Sequence, residues 1–141
     1  MIILDSNVVS ALMQTVPDKT VAEWLDRQPR DSVWITSVTV MELRFGLQTM
    51  PASRRRDSLS KALAVLLEEK IQGRVAPFDS DAAEKAGELM ASRKLKGRPI
   101  EIRDTMIAGI VMSTHGVLVT RNTAHFSELD SRVVNPWVSQ G

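Results

Sequence analysis

Three carboxylates stand where this chain changes character. Asp5 follows the apolar run Ile2-Ile3-Leu4, Glu42 sits among Val40, Met41 and Leu43, and Asp104 opens the apolar stretch Met106 to Met112. Asp5-Ser6-Asn7 gathers three oxygen-bearing side chains in one turn. An aspartate there commonly caps a helix, but Asn7 can serve as the cap and leave Asp5 for a ligand. Glu42 has a plain reading as a solvated position on an amphipathic helix. A helix as apolar as the one after Asp104 is buried, so that carboxylate needs a partner. Glu101 falls on a similar face and suits the helix dipole equally well. Three carboxylates converging on one cleft repel one another and hold protons more tightly unless a cation neutralises them. A hard divalent ion, Mg²⁺ or Mn²⁺, fits an all-oxygen donor set. The chemistry such a site supports is metal-assisted attack of water on a phosphodiester.

The elements that must bring these acids together alternate in type. Ile2-Ile3-Leu4, Val33 to Thr36, Val75 to Phe78, Val117 to Thr120 and Arg132 to Val134 read as short strands. Between them lie helical patterns over Asn7 to Met13, Pro17 to Gln28, Ser37 (an N-cap candidate) to Leu47, and Ala52 to Gln72 with Gly73 as a stop. Helices over about 80–96 and 101–114 come next, the first capped by Asp79 or Ser80, then a short one from Ala124 to Leu129. Short apolar strands separated by helices predict a small doubly wound α/β sandwich with a parallel sheet covered on both faces. In such sheets ligands bind beyond the carboxyl ends of the strands, where Asp5 stands.

Composition narrows the chemistry further. With 141 residues, 43% hydrophobic and 25% charged, one globular core is expected. The absence of cysteine excludes a disulfide scaffold, a thiolate metal site and a cysteine nucleophile, and two histidines exclude a multi-histidine centre. The opening residues carry no leader pattern and no run approaches membrane-spanning length, so a cytoplasmic protein is expected. A net charge of +1 advertises no nucleic-acid partner, although arginines outnumber lysines twelve to six. Arg54-Arg55-Arg56 and Lys94, Lys96 and Arg98 are candidate RNA-backbone contacts or simply solvated charge. Trp24, Trp34 and Trp137 read as packing residues.

In order and spacing, the motifs resemble a family. Ile3-Leu4-Asp5-Ser6-Asn7, Ser37-Val38 with Val40, Glu42, Leu43 and Gly46, Pro77-Phe78-Asp79, and Ile102 with Asp104, Ile107 and Ala108 are its first anchors. Val119-Thr120-Arg121-Asn122 and Asn135-Pro136-Trp137 complete them. The whole chain is similar to the PIN-domain ribonucleases of the VapC toxin type, nearest their FitB-like branch. The resemblance implies a single PIN domain over residues 1–141, a three-layer α/β/α sandwich with a short central parallel sheet. It implies that Asp5, Glu42 and Asp104 bind Mg²⁺, with Mn²⁺ as a substitute, and are catalytic, with Ser6, Asn7 and Thr120 lining the pocket. A fourth acid is common in the segment that here reads Thr120-Arg121-Asn122. Asn122 stands in the catalytic set in its place, or is a turn residue, while His125 is a substitute ligand or a surface histidine.

The same resemblance implies an RNA substrate and growth inhibition by RNA cleavage. It also implies a homodimer, and an antitoxin whose C-terminal segment covers the acidic groove. That segment's arginine can replace a cation's charge there. Operator DNA would be met only through the antitoxin, and no membrane is involved. Rival readings are a PIN nuclease of RNA maturation without an antitoxin and a PIN module that binds nucleic acid without turnover. An aspartyl-phosphate enzyme would want a carboxylate at position 7, where Asn7 stands.

Overall fold

Strands built only of apolar residues must be covered on both faces. The computed structural model, which describes residues 1–138, shows how that is done. Its strands are β1 (Ile2–Leu4), β2 (Val33–Thr36), β3 (Val75–Ala76), β4 (Val117–Val119) and β5 (Val133–Val134). They form one parallel sheet in the order β3-β2-β1-β4-β5. Side chains alternate across it. Leu4, Val33, Ile35 and Val119 enter one core, while Ile3, Trp34 and Leu118 face the other. The first core is covered by α1 (Ser6–Met13), α2 (Lys19–Asp26), α3 (Ser37–Thr49) and α4 (Arg54–Val65). The second is covered by α5 (Ser80–Leu95) and α6 (Ile102–Thr114).

The strand order reverses between β1 and β4, the place where doubly wound folds open a crevice. Leu4 pairs with Val119, so the next residues, Asp5 and Thr120, emerge side by side. The Asp5 N–H donates to Val119 O at 2.9 Å, and the Thr120 N–H donates to Val134 O at 2.9 Å. Register therefore aims both side chains at the crevice.

Element types agree with the sequence reading, and several boundaries move for local reasons. Asp18, at the entry to α2, accepts from the Val21 N–H at 3.1 Å, so the helix starts after Pro17 rather than with it. Thr36, not Ser37, caps α3, accepting from the Thr39 N–H at 3.0 Å. Ser37 Oγ instead accepts from the Phe78 N–H at 3.1 Å. The expected helix from Ala52 to Gln72 is α4 followed by a π-helical stretch, Leu66–Ile71, which ends at Gln72 and Gly73, both with positive φ. The expected helix at Ala124 to Leu129 is a 3₁₀ segment, Thr123–Arg132, broken at Phe126 and Asp130.

α6 can place Asp104 correctly only if it packs tightly on α5. A Cβ built on Gly109 would lie 2.5 Å from Ala82 O and 3.0 Å from the Ala86 Cβ. We expect Gly109→Ala to destabilise the protein by about 1–3 kcal/mol, the overpacking cost exceeding the helix-propensity gain of about 1 kcal/mol. Gly87 in α5 is exposed with nothing within 4 Å of such a Cβ, and Gly87→Ala should stabilise by about 0.5–1 kcal/mol. Urea denaturation of the two variants checks both signs.

Candidate active site

Asp5 is 4% exposed, and its burial is the dominant influence on its carboxyl, pushing the pKa up. Hydrogen bonds work against that cost. Oδ1 accepts from the Ser6 N–H at 2.8 Å, while Oδ2 accepts from the Thr120 hydroxyl at 2.8 Å and from Asn7 Nδ2 at 3.2 Å. The expected division of labour is thus reversed. Asp5 caps α1, and Asn7 does not. Asn7 instead braces the crevice, donating also to Thr120 Oγ1 at 3.1 Å and accepting from the Arg121 N–H at 3.0 Å. The reason is geometric: Asp5 is the last extended residue before the helix, whereas Asn7 is already in its first turn.

Glu42, half-buried on α3, has a carboxyl raised first by burial and then by the charge of Asp5. Arg103 partly offsets this, and Asp104 and Glu101 add to it. Glu42 Oε2 lies 3.9 Å from Arg103 Nη1, and Arg103 Nε lies 3.6 Å from Glu101 Oε1. Among the described residues, Glu42 Oε1 is the buried side-chain oxygen without a hydrogen-bond partner. Asp104, in the first turn of α6, has its Oδ2 3.1 Å from His125 Nδ1. A carboxylate only accepts, so the ring nitrogen donates in that contact. His125 is a surface histidine, its side chain more than half exposed, and it also partners Asp104, because the 3₁₀ turn carries residue 125 to the start of α6.

Asp5, Glu42 and Asp104 therefore feel one another's charge across a single crevice, with Ser6, Asn7 and Thr120 around it. Asn122 stands at the rim. Its N–H donates to Thr120 Oγ1 at 3.1 Å, its side chain does not cap the 3₁₀ segment, and the residue is exposed. Arg103, which the sequence reading did not single out, is the cation nearest Glu42; its spacing of one residue before Asp104 was the available signal. Arg56 does not reach the crevice but braces the loop before α4, donating to Met50 O and Gln48 Oε1. Arg54 and Arg55 line a hollow beside α1.

Among the described residues no three acidic or histidine side chains form a finished ligand set. The donor chemistry still suits a hard cation. Asp5 Oδ1 keeps a lone pair beyond its single bond, Glu42 Oε1 has no partner, and the excess negative charge is partly desolvated. Mg²⁺ commonly binds through one or two carboxylates and retains several waters, so a complete protein cage is not required. A groove of about 320 Å³ runs from Glu42, Ser6 and Arg103 along the apolar wall of Leu43, Leu47 and Leu59. A hollow of about 350 Å³ at the opposite end of the sheet, beside Val33 and Lys70, has Asp26 as the lone carboxylate in its lining.

The profile of the family described as "PIN domain" matches residues 2–131. VapC ribonuclease Y4jK of Sinorhizobium fredii is 40% identical over 138 residues, covering 97% of this chain and 98% of that protein. The crystal structure of FitAcB from Neisseria gonorrhoeae superposes with a TM-score of 0.85 at 31% identity, covering 97% of this chain and 99% of the other. The structure of FitAB bound to the IR36 DNA fragment matches with a TM-score of 0.88 at 28% identity, covering 100% and 99%.

The raised carboxyls have a consequence for stability. A group whose pKa is higher in the folded state stabilises the fold at low pH and loses that contribution as pH rises through the folded value. Glu42→Gln removes the penalty. Without divalent cation it should melt on the order of 1–3 °C above the parent at neutral pH, with no gain at about pH 4, where the carboxyl is largely protonated. Thermal melts in EDTA at the two pH values check this; equal shifts at both would sink the idea.

Proposed function

The chain belongs to the PIN-domain family, and on that premise we propose that it is a metal-dependent endoribonuclease, the toxin of a type II toxin–antitoxin pair. One observation carries the reading for this chain: three carboxylates share the crevice at the β1/β4 switch point, and Glu42 Oε1 among them is buried and unpartnered. We assign metal binding and catalysis to Asp5, Glu42 and Asp104, and take residues 1–141 as a single domain. Mg²⁺ is the preferred cation because the donors are all hard oxygens, with Mn²⁺ as a substitute. Once bound, the cation supplies activation of water and charge stabilisation at the phosphoryl oxygens.

The protein's own residues do the positioning. Three hydrogen bonds lock the Asp5 carboxylate, and His125 orients Asp104 with one carboxylate oxygen turned away from the contact. Arg103, beside Glu42 and half exposed, is placed to meet a substrate phosphate and offset the repulsion between it and the acids. Asn122, at the rim beside Thr120, is suited to orient water but not to neutralise charge. The described helices include none long and apolar enough to cross a membrane, in keeping with action in the cytoplasm.

The groove defines the partner. One wall is apolar, with Leu43, Leu47, Met50 and Leu59, and its far end holds Glu42 with Arg103 beside it. An antitoxin segment with apolar side chains and a terminal arginine fits both, and covers the carboxylates when seated. The FitAB complex that this chain resembles is bound to DNA, which supports an antitoxin as the DNA-contacting component here. Two copies of this chain, related as a homodimer, complete the proposed assembly.

Purified protein should cleave an end-labelled RNA pool into discrete products in Mg²⁺ or Mn²⁺ and leave it intact in EDTA. Asp104→Asn should lower the rate on the order of a hundredfold or more, a loss typical of removing a charge-stabilising group, while the melting temperature holds. Cleavage that survives both EDTA and Asp104→Asn would refute the assignment. RNA that binds without being cut in any metal would favour the binding-module reading.

A further inference from the structure

A second hollow adjoins the groove at Glu42, sharing Ser10 and Gln14 with it. This hollow, of about 360 Å³, opens beside Asn7 and runs past Ser10, Gln14 and Asp18 to Arg121 and Trp137. There the Arg121 guanidinium lies over the Trp137 ring, 4.5 Å from its centroid. The ring is itself fixed, because Trp137 Nε1 donates to Asp18 Oδ2 at 3.1 Å and the Trp137 N–H donates to Asn135 Oδ1 at 2.9 Å. Asp18 is ionised and committed: it caps α2 through the Val21 N–H, and this bond and the indole both hold its carboxyl below the usual range.

Stacking on an indole occupies the flat face of a guanidinium and leaves its in-plane N–H donors pointing outward. Among the described residues no hydrogen bond or ion pair engages those donors, although the charge of Arg121 is felt at Asp18. The Arg121 backbone N–H donates to Asn7 Oδ1, and Asn7 Nδ2 donates to Asp5 Oδ2. Two hydrogen bonds therefore couple the stacked arginine's backbone to the buried carboxylate, and the pair is held in register with the reacting centre. Trp137 packs against the first core, as the sequence reading expected, and its partly exposed ring also serves as a platform for Arg121.

We propose that the Arg121–Trp137 pair is the subsite for a backbone phosphate of the RNA strand flanking the scissile bond. The proposal rests on the ribonuclease reading and adds where the strand runs: out of the crevice over Asn7 and onto Arg121. A fork of N–H donors suits a phosphate better than a lysine would, and the supporting ring removes much of the side-chain entropy lost on binding. Because the contact is with backbone rather than base, it contributes affinity and register without sequence preference.

The test is binding of a short fluorescein-labelled single-stranded RNA of mixed sequence to full-length Asp104→Asn protein over a salt series, beside metal-dependent cleavage by the parent. Adding Arg121→Gln should weaken binding about five- to tenfold and reduce the slope of log affinity against log salt by about 0.7, one phosphate contact on a single strand. Arg121→Lys should restore the slope but only part of the affinity. Trp137→Leu should lower affinity with the slope kept. In the cleaving enzyme, Arg121→Gln should raise KM and leave kcat within about twofold. A merely structural role would move the melting temperature and not the salt slope. Unchanged affinity and slope in Arg121→Gln, with the parent still binding and cleaving RNA, would overturn the proposal while leaving the nuclease intact. Loss of antitoxin binding with the RNA slope unchanged would also overturn it, by making the platform a protein contact. Failure of the parent to bind or cleave RNA would instead refute the reading on which the proposal rests.

Discussion

The structure turns on a buried aspartate that must be kept ionised without being left unsatisfied. Placing a carboxylate at 4% exposure is costly, and Asp5 is tolerated because three donors converge on it. Those donors come from the α1 turn and from the end of β4, more than a hundred residues away. If β4 slipped one position against β1, Thr120 would leave the crevice and Asp5 would lose one of its two shortest bonds. The parallel register, the turn chemistry and the acidic crevice therefore stand or fall together.

Around that fixed point, charge is arranged out of balance. Glu42 and Asp5 are both pushed toward protonation, and Arg103 relieves only part of the strain. A protein selected for stability alone would exchange one of these acids for an amide. Retaining them leaves a crevice with excess negative charge, which a cation or a guanidinium from outside would relieve. The same need explains why arginines, not lysines, border it: Arg103 on one side and Arg121 on the other are weakly hydrated forks suited to phosphates and carboxylates alike.

Asp5 and Asp104 were legible in the sequence because strand ends and helix starts are local signals, which Glu42, in the middle of α3, lacks. Ile2-Ile3-Leu4 can only be a buried strand, and the residue at the carboxyl end of such a strand in a doubly wound sheet faces the ligand crevice. Asp104 was legible because Met106 to Met112 is too apolar to face water. Details that depend on competing partners were not. Thr36 rather than Ser37 caps α3 because Ser37 is claimed by Phe78 from β3's far end, a contact 41 residues distant. Asn7 yields the cap to Asp5 and serves Thr120 and Arg121 instead. His125 is on the surface, as its sequence suggests, but nothing local announces that a broken 3₁₀ turn carries it to Asp104. That turn is held in place by Arg93, whose guanidinium reaches His125 O at 2.9 Å and Glu128 Oε2 at 2.8 Å.

By itself, then, the sequence determined the alternation of apolar strands and helices, the parallel sheet, and the places of Asp5 at a strand end and Asp104 at a helix start. Each of these is written in residue type and in spacing within one element, where hydrophobic burial and backbone geometry leave few choices. Only the tertiary structure decided which hydrogen-bond donor serves which acceptor, that Arg103 sits among the acids, and that Trp137 carries Arg121 as well as packing on the core. Those outcomes are settled by competition among groups far apart in the chain. A donor's best acceptor is defined only once the sheet has brought the candidates to within about 3 Å of one another.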